Sequence, residues 1–180
     1  TADIALQGSD KFVIYVWDGF DIIDFIEIDK CEANEATDIL NKVALKHAVG
    51  RSNIAYDADG LGSFLRGYLK NAIPFNNGGR PIKVDGIIPN YKNIKSQCAY
   101  ALAKAINNNE IKISCDINKS ELMKELECLQ SYALDKEGKI QIMPKEKVKE
   151  IIGHSPDKLD ALIIRMVFEI NQKKSIKIRV

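Results

Sequence analysis

Apolar and polar positions alternate from Lys11 to Trp17, break at Asp18-Gly19, and resume as an apolar strand pattern from Phe20 to Ile28. A period of two marks a strand, and Asp-Gly tolerates the positive φ of a tight turn, so the stretch reads as a β-hairpin. Ala2-Asp3-Ile4-Ala5-Leu6 is a shorter strand-like run, ended by Gln7-Gly8-Ser9-Asp10. Three successive antiparallel strands are therefore expected at the start, with Asp3 on the first.

The period then changes. Ala36, Ile39, Leu40, Val43, Ala44 and His47 share one helical face between Asn34 and Ala48. Asn53-Ile54-Ala55-Tyr56 reads as a short strand that leaves Asp57 at its carboxyl end. Leu61, Phe64, Leu65, Tyr68, Leu69 and Ala72 align as a second helix that Pro74 stops. Residues 75–93, rich in Gly, Pro and Asn, read as loop around a strand candidate at Ile82-Lys83-Val84. Ile94, Cys98, Ala101, Leu102 and Ala105 mark a third helix, and Ile111-Lys112-Ile113 another strand. Asn118 followed by Glu121 gives a capping-box start for a helix through Leu122, Leu126 and Leu129. A second hairpin turns at Asp135-Lys136-Glu137-Gly138, and Lys145 to Ile152 reads as a short basic helix after Pro144. Ser155 as N-cap and Pro156 as first helical residue open a long final helix with Leu159, Ile163, Met166 and Ile170 inward. Strands alternating with helices predict a layered α/β fold.

With 180 residues, 46% of them hydrophobic and 28% charged, the chain is long enough to bury a core as one domain. The 26 Lys plus Arg nearly balance the 25 Asp plus Glu, so contact with nucleic acid would need a local basic face, not a global excess. Cys31, Cys98, Cys115 and Cys128 include no C-x-x-C, which reads as reduced thiols in an intracellular protein and not as zinc ligands. No apolar run has the length of a membrane span, and the first residues lack the order of a signal peptide, so a soluble chain is expected.

The candidate chemistry is carboxylate. Asp57 ends a strand and is aimed at the crevice beyond the sheet, while Asp59, in Asp57-Ala58-Asp59-Gly60-Leu61-Gly62, reads equally well as a helix cap. The glycines lack the spacings of dinucleotide or Walker loops, which argues against a nucleotide site here. Asp157 and Asp160 lie three apart in the opening turn of the last helix, where carboxylates also serve simply to complement the helix dipole. Asp160, however, adjoins the apolar stripe and needs a partner. Asp3 is costly in mid-sheet unless it too has one, and Asp10 reads as a turn residue close enough to supply a further acid. A divalent cation shared among such carboxylates offsets their repulsion. His154, before the final helix, reads as an exposed loop histidine or one that orients a water or phosphate, and His47 as a helix-face residue at a core edge.

Three pieces in this order, Asp3-Ile4-Ala5-Leu6-Gln7-Gly8-Ser9-Asp10-Lys11, Tyr56-Asp57-Ala58-Asp59-Gly60-Leu61-Gly62 and Ser155-Pro156-Asp157-Lys158-Leu159-Asp160-Ala161-Leu162, resemble the nuclease domain of the large terminase subunit of tailed bacteriophages and prophages. Asn93-Ile94-Lys95-Ser96 and Pro144-Lys145 also look like that family's equivalents. The resemblance implies a ribonuclease H-like fold, a central mixed sheet whose first three strands are antiparallel, with helices on both faces. It implies a single nuclease domain over residues 1–180, without the ATPase motor that precedes it in the family. It also implies a hydrolase, a metal-dependent endonuclease, that cuts concatemeric phage DNA during genome packaging in the bacterial cytoplasm.

By the same resemblance Asp3, Asp57 and Asp160 are the catalytic ligands of two Mg²⁺ or Mn²⁺ ions, with Asp157 a fourth acid and Asp10 and Asp59 auxiliary candidates. Two such ions, roughly 3.5–4 Å apart, activate water and stabilise the leaving oxygen. The implied partners are double-stranded DNA, the terminase small subunit, the portal and the ATPase domain. Lys92, Lys95, Lys145, Lys147 and Lys149, and the tail Lys173, Lys174, Lys177 and Arg179, are the candidate DNA contacts. The rival readings are a Holliday junction resolvase or transposase-like enzyme of the same fold, and a non-catalytic DNA- or portal-docking module.

Overall fold

The computed structural model describes residues 1–5, 10–29, 31–59 and 65–172. In chain order they form β1 (Ala2–Asp3), β2 (Phe12–Asp18), β3 (Asp21–Ile28), α1 (Ala33–Lys46), β4 (Ala55–Asp57), β5 (Ile73–Phe75), α2 (Ile94–Asn107), β6 (Lys112–Ile113), α3 (Lys119–Glu127), β7 (Ser131–Tyr132), β8 (Gln141–Ile142), α4 (Lys145–Ile152) and α5 (Asp157–Gln172). Six strands make one mixed sheet in the order β5-β4-β1-β2-β3-β6, and β7 pairs with β8. The β1–β2 and β2–β3 pairs are antiparallel, as expected from the opening alternation, while β1–β4, β4–β5 and β3–β6 are parallel. The first hairpin turns at Gly19, whose φ of +58° few residues with a Cβ adopt, and Asp18 is paired with Asp21.

Strand alternation divides the core in two. Ala2, Phe12, Ile14 and Tyr56 face Ala36 and Leu40 of α1. On the opposite face Val13, Tyr15, Ala55 and Phe75 pack against Cys98 and Leu102 of α2 and Leu159, Leu162, Ile163 and Met166 of α5. Each fully buried leucine or isoleucine in that layer is worth about 1.5–3 kcal/mol. Asp3 is paired with Val13, and Asp57 lies two residues beyond Ala55, so both carboxylates point to the α2/α5 face. The same pleat that builds the apolar core thus places these two acids at its edge.

Three local expectations are corrected. The helix expected from Leu61 to Ala72 is, in its described part, one 3₁₀ turn at 65–67 followed by turns; residues 60–64 lie outside the described set. Pro74 is not a stop signal but the middle of edge strand β5. Ile73 N–H donates to the Ile54 carbonyl and the Phe75 carbonyl accepts from Ala58 N–H, so the proline, with no N–H, faces away from the ladder. Leu65 and Leu69 are still buried, because one face of a turn hides the same i, i+4 pair that a helix would.

The second correction is at α5. Ser155 does not cap it: its buried Oγ has no hydrogen-bond partner among the described residues, and the helical N–H of Leu159 donates instead to Oε2 of Glu125, 2.8 Å away on α3. Glu125 is only 1% exposed. Replacing it by alanine strands a buried N–H, and we expect Glu125→Ala to cost about 1–3 kcal/mol in chemical denaturation, with Glu125→Gln costing clearly less because its amide oxygen still accepts. Equal losses would mean that packing, not the cap, sets the cost. The third correction is small: the strand candidate at Ile82-Lys83-Val84 is only a single bridge between Val84 and Ile87, whereas His47, at a core edge as expected, is the C-cap of α1 with its Nε2 2.7 Å from Asp24 Oδ2.

Candidate metal centre

Four aspartates from distant parts of the chain meet where β1 and β4 end beside the start of α5. Asp3, Asp157 and Asp160 are each about 5% exposed, and Asp57 is half-buried next to them. Lys145, the first residue of α4, reaches into the group: its Nζ lies 3.4 Å from Asp160 Oδ2, 3.6 Å from Asp157 Oδ1 and 3.6 Å from Asp10 Oδ2. Lys95, from the first turn of α2, is 2.7 Å from the other oxygen of Asp160. Asn93 caps that helix by accepting from Ser96 N–H, which fixes the turn that carries Lys95.

Each acid is held by a distinct device. Asp157 Oδ2 accepts from Lys11 N–H at 2.7 Å, tying α5 to the start of β2, while its buried Oδ1 has no hydrogen-bond partner among the described residues and only the longer ion pair to Lys145. Asp57 Oδ1 accepts from Asp59 N–H, and its Oδ2 accepts from the Asn77 amide at 3.1 Å. Asp59 does not cap a described helix but accepts from Asn77 N–H at 2.9 Å, closing the turn that brings Asn77 to Asp57.

The electrostatics are those of a crowded anionic site. Burial, then the charges of Asp160, Asp57 and Asp157, pushes the Asp3 carboxyl well above its ordinary range, with Lys145 pulling partly back. Burial likewise raises Asp57, with Asp59 and Asp160 adding to it against the hydrogen bonds it accepts. For Lys145 burial alone would favour the neutral amine, but Asp160, Asp3, Asp157 and Asp10 more than reverse this and raise it. Asp10 is resisted by its partial burial yet lowered overall by Lys149 and Lys145. The carboxylates outnumber the ammonium groups among them, one buried oxygen lacks a hydrogen bond among the described residues, and all the donors are hard oxygens. That donor set fits Mg²⁺ or Mn²⁺.

Beside the acids a cavity of about 290 Å³ is lined by Asp57, Asn77, Lys92, Lys95, Lys145 and Asp160 over an apolar floor that includes Leu129 and Met143. The candidate DNA lysines therefore divide. Lys95 and Lys145 are paired with the acids, and Lys149 is 3.0 Å from Asp10. Lys92 is exposed and its ammonium bonds only Gln141 among the described residues, and Lys147 lies over the Tyr132 ring on the other side of α4. The tail Lys173, Lys174, Lys177 and Arg179, and Gly8 of the opening motif, lie outside the described residues. The sequence reading missed Asn77, whose only signal was its place in a run of Asn and Gly, and missed that Lys95 and Lys145 face acids, which only the fold reveals.

No family model matches the chain, and no curated protein matches it. Solved structures do. The nuclease domain of the large terminase subunit gp2 of bacterial virus Sf6 superposes with a TM-score of 0.73 at 23% identity, over 92% of this chain and 85% of that one. A lysine-to-alanine mutant of the same domain with manganese and beta-thujaplicinol gives 0.74 at 22% identity, over 92% and 85%. The mutant with calcium gives 0.74 at 23%, over 92% and 86%. At this identity the likeness is one of fold, and the fold is ribonuclease H-like. No described helix is long and apolar enough to cross a membrane.

Proposed function

We propose that this chain is a metal-dependent DNA endonuclease of the terminase type. The observation that carries the reading is the meeting of Asp3, Asp57, Asp157 and Asp160 around Lys145 at one sheet edge. Three buried carboxylates and a half-buried fourth repel one another, and only a function requiring concentrated negative charge accounts for keeping them together. Divalent ions held there supply an activated water and charge neutralisation at the scissile phosphate. Asp3, Asp57 and Asp160 are the ligands in this reading, and Asp157 offers its Oδ1 to the same ions or their waters. Lys95 and Lys145 hold Asp160 in place from two sides, and Asn77 orients Asp57. The fold shared with the Sf6 domain supports concatemeric phage DNA as the substrate, with a packaging ATPase, small subunit and portal as partners and the bacterial cytoplasm as the setting.

The test is incubation of supercoiled plasmid with the purified chain in Mg²⁺ or Mn²⁺. Nicked and linear products that vanish with chelator are expected. Intact plasmid, together with Mn²⁺ binding that ignores Asp160→Asn, would leave a docking module, whereas a strong preference for four-way junctions over linear duplex would identify a resolvase.

Duplex contact should come chiefly from lysines not already consumed by acids. Phosphate contacts release counterions, so each true contact adds nearly one unit to the slope of log affinity against log salt. We expect Lys92→Ala to flatten that slope by about 0.9, because Lys92 stands exposed at the mouth of the cavity. Lys149→Ala, in which Asp10 has already taken the charge, should change it less. The reverse order would place the DNA along α4.

A further inference from the structure

The start of α5 has a second polar pocket, a cavity of about 30 Å³ that Asp157 and Lys158 also line but Asp57 and Asp160 do not. That is the size of a single water or ion. Glu121 and Glu125, one helical turn apart on α3, meet His154 from the α4–α5 link there, and one ligand atom from each lies within 4.8 Å of the others. His154 Nδ1 is 2.8 Å from the Ser155 carbonyl, and donating there leaves Nε2 to carry the lone pair that a cation needs.

An independent feature of the pocket points the same way. Ser155 lines it, is 4% exposed, and its Oγ has no hydrogen-bond partner among the described residues. The hydroxyl comes near enough to Asp10 to help hold that carboxyl low but completes no bond to it. A buried hydroxyl in that state normally has a ligand or water to satisfy it. Lys158, 1% exposed, is the resident cation nearby, but its Nζ is spent on Glu27 and Glu121, at 3.0 Å each. Glu125 has no ion pair among the described residues, and burial pushes its carboxyl up to about 8 against the Leu159 N–H and Lys158.

We propose that Glu121, Glu125 and His154 form a second divalent-metal site, built for a borderline transition ion such as Zn²⁺ and adjoining the aspartate centre without using Asp3, Asp57 or Asp160. One imidazole with carboxylates suits Zn²⁺ or Co²⁺, whereas Mg²⁺ favours oxygen alone. Such an ion would clip α3 to the α4–α5 link and so fix the helix end that carries Asp157 and Asp160. The proposal stands whether or not the aspartate centre cleaves DNA.

The test titrates Zn²⁺ by calorimetry and Co²⁺ by visible absorption into the wild type, His154→Ala, Glu121→Gln and Asp160→Asn. We expect His154→Ala and Glu121→Gln to weaken Zn²⁺ about ten-fold or more and to lose the intense d–d bands of low-coordinate Co²⁺, with Asp160→Asn retaining both. X-ray absorption at the zinc edge of the wild type should show one imidazole, a reading that needs no variant to fold. His47, the other histidine, is held by Asp24, and His47→Ala should leave that signal in place. Zinc without imidazole scattering, affinity unchanged in His154→Ala, or affinity lost in Asp160→Asn would each overturn the site.

Discussion

Asp160→Asn should lower Mg²⁺- or Mn²⁺-dependent plasmid cleavage by roughly 10²–10³-fold, the loss expected when several kcal/mol of metal-borne transition-state stabilisation disappears. The amide keeps the volume of a side chain that is 6% exposed, and its one oxygen still accepts from Lys95 or Lys145, so the fold should survive. What it cannot keep is the charge that holds a divalent ion. Asp59→Asn is the matched control. Asp59 is exposed, its carboxylate faces the Asn77 N–H, and an asparagine oxygen accepts that bond as well. Its loss should be small. If both variants lose cleavage equally while thermal unfolding is unchanged, Asp59 belongs in the ligand set and the assignment of Asp57 alone at this turn is wrong.

The chain's own pattern carried the reading unusually far at the site's scaffold and less far at its electrostatics. The Lys11–Trp17 alternation and the Asp18-Gly19 turn determine the hairpin locally, and with Ala2-Asp3 they determine which face Asp3 takes. The helical faces of α1, α2 and α5 are long enough for periodicity to decide. Residues 65–75 depart from the helical pattern because an i, i+4 pair such as Leu65 and Leu69 is buried equally by a helix or by a turn, and because Pro74 in an edge strand depends on which side of it β4 lies. The capping of α5 by Glu125 joins residues 34 apart, and the Lys149–Asp10 pair joins residues 139 apart. No local pattern encodes such pairings. For the same reason Lys95 and Lys145 read as DNA contacts, since a lysine's sequence neighbours do not reveal that an acid waits for it across the fold.

Saturating Mg²⁺ should stabilise the wild type, and the gain should widen as pH rises. Mg²⁺ is the better probe here because the imidazole-bearing cluster on α3 disfavours it. At a hundred times its dissociation constant a ligand adds about 2.7 kcal/mol, which for a domain of this size is roughly 5–11 °C in midpoint. The pH sign follows from the aspartates. Burial and like charge raise Asp3 and Asp57 in the folded chain, so the metal-free fold holds protons that the unfolded chain releases. Its stability is therefore favoured at low pH and declines as pH climbs from the ordinary carboxylate range through the raised values. The ion reverses this, because it binds the deprotonated acids and is displaced by protons as pH falls. The metal-free midpoint should fall across that window relative to the Mg²⁺-bound one, and the separation should open. Asp3→Asn removes one of the strained charges, so it should raise the metal-free midpoint, by roughly 0.5–2 kcal/mol in stability, while collapsing the Mg²⁺ gain. A gain that is the same at every pH, or that persists undiminished in Asp3→Asn, would mean that Mg²⁺ binds elsewhere and that these acids are not its ligands.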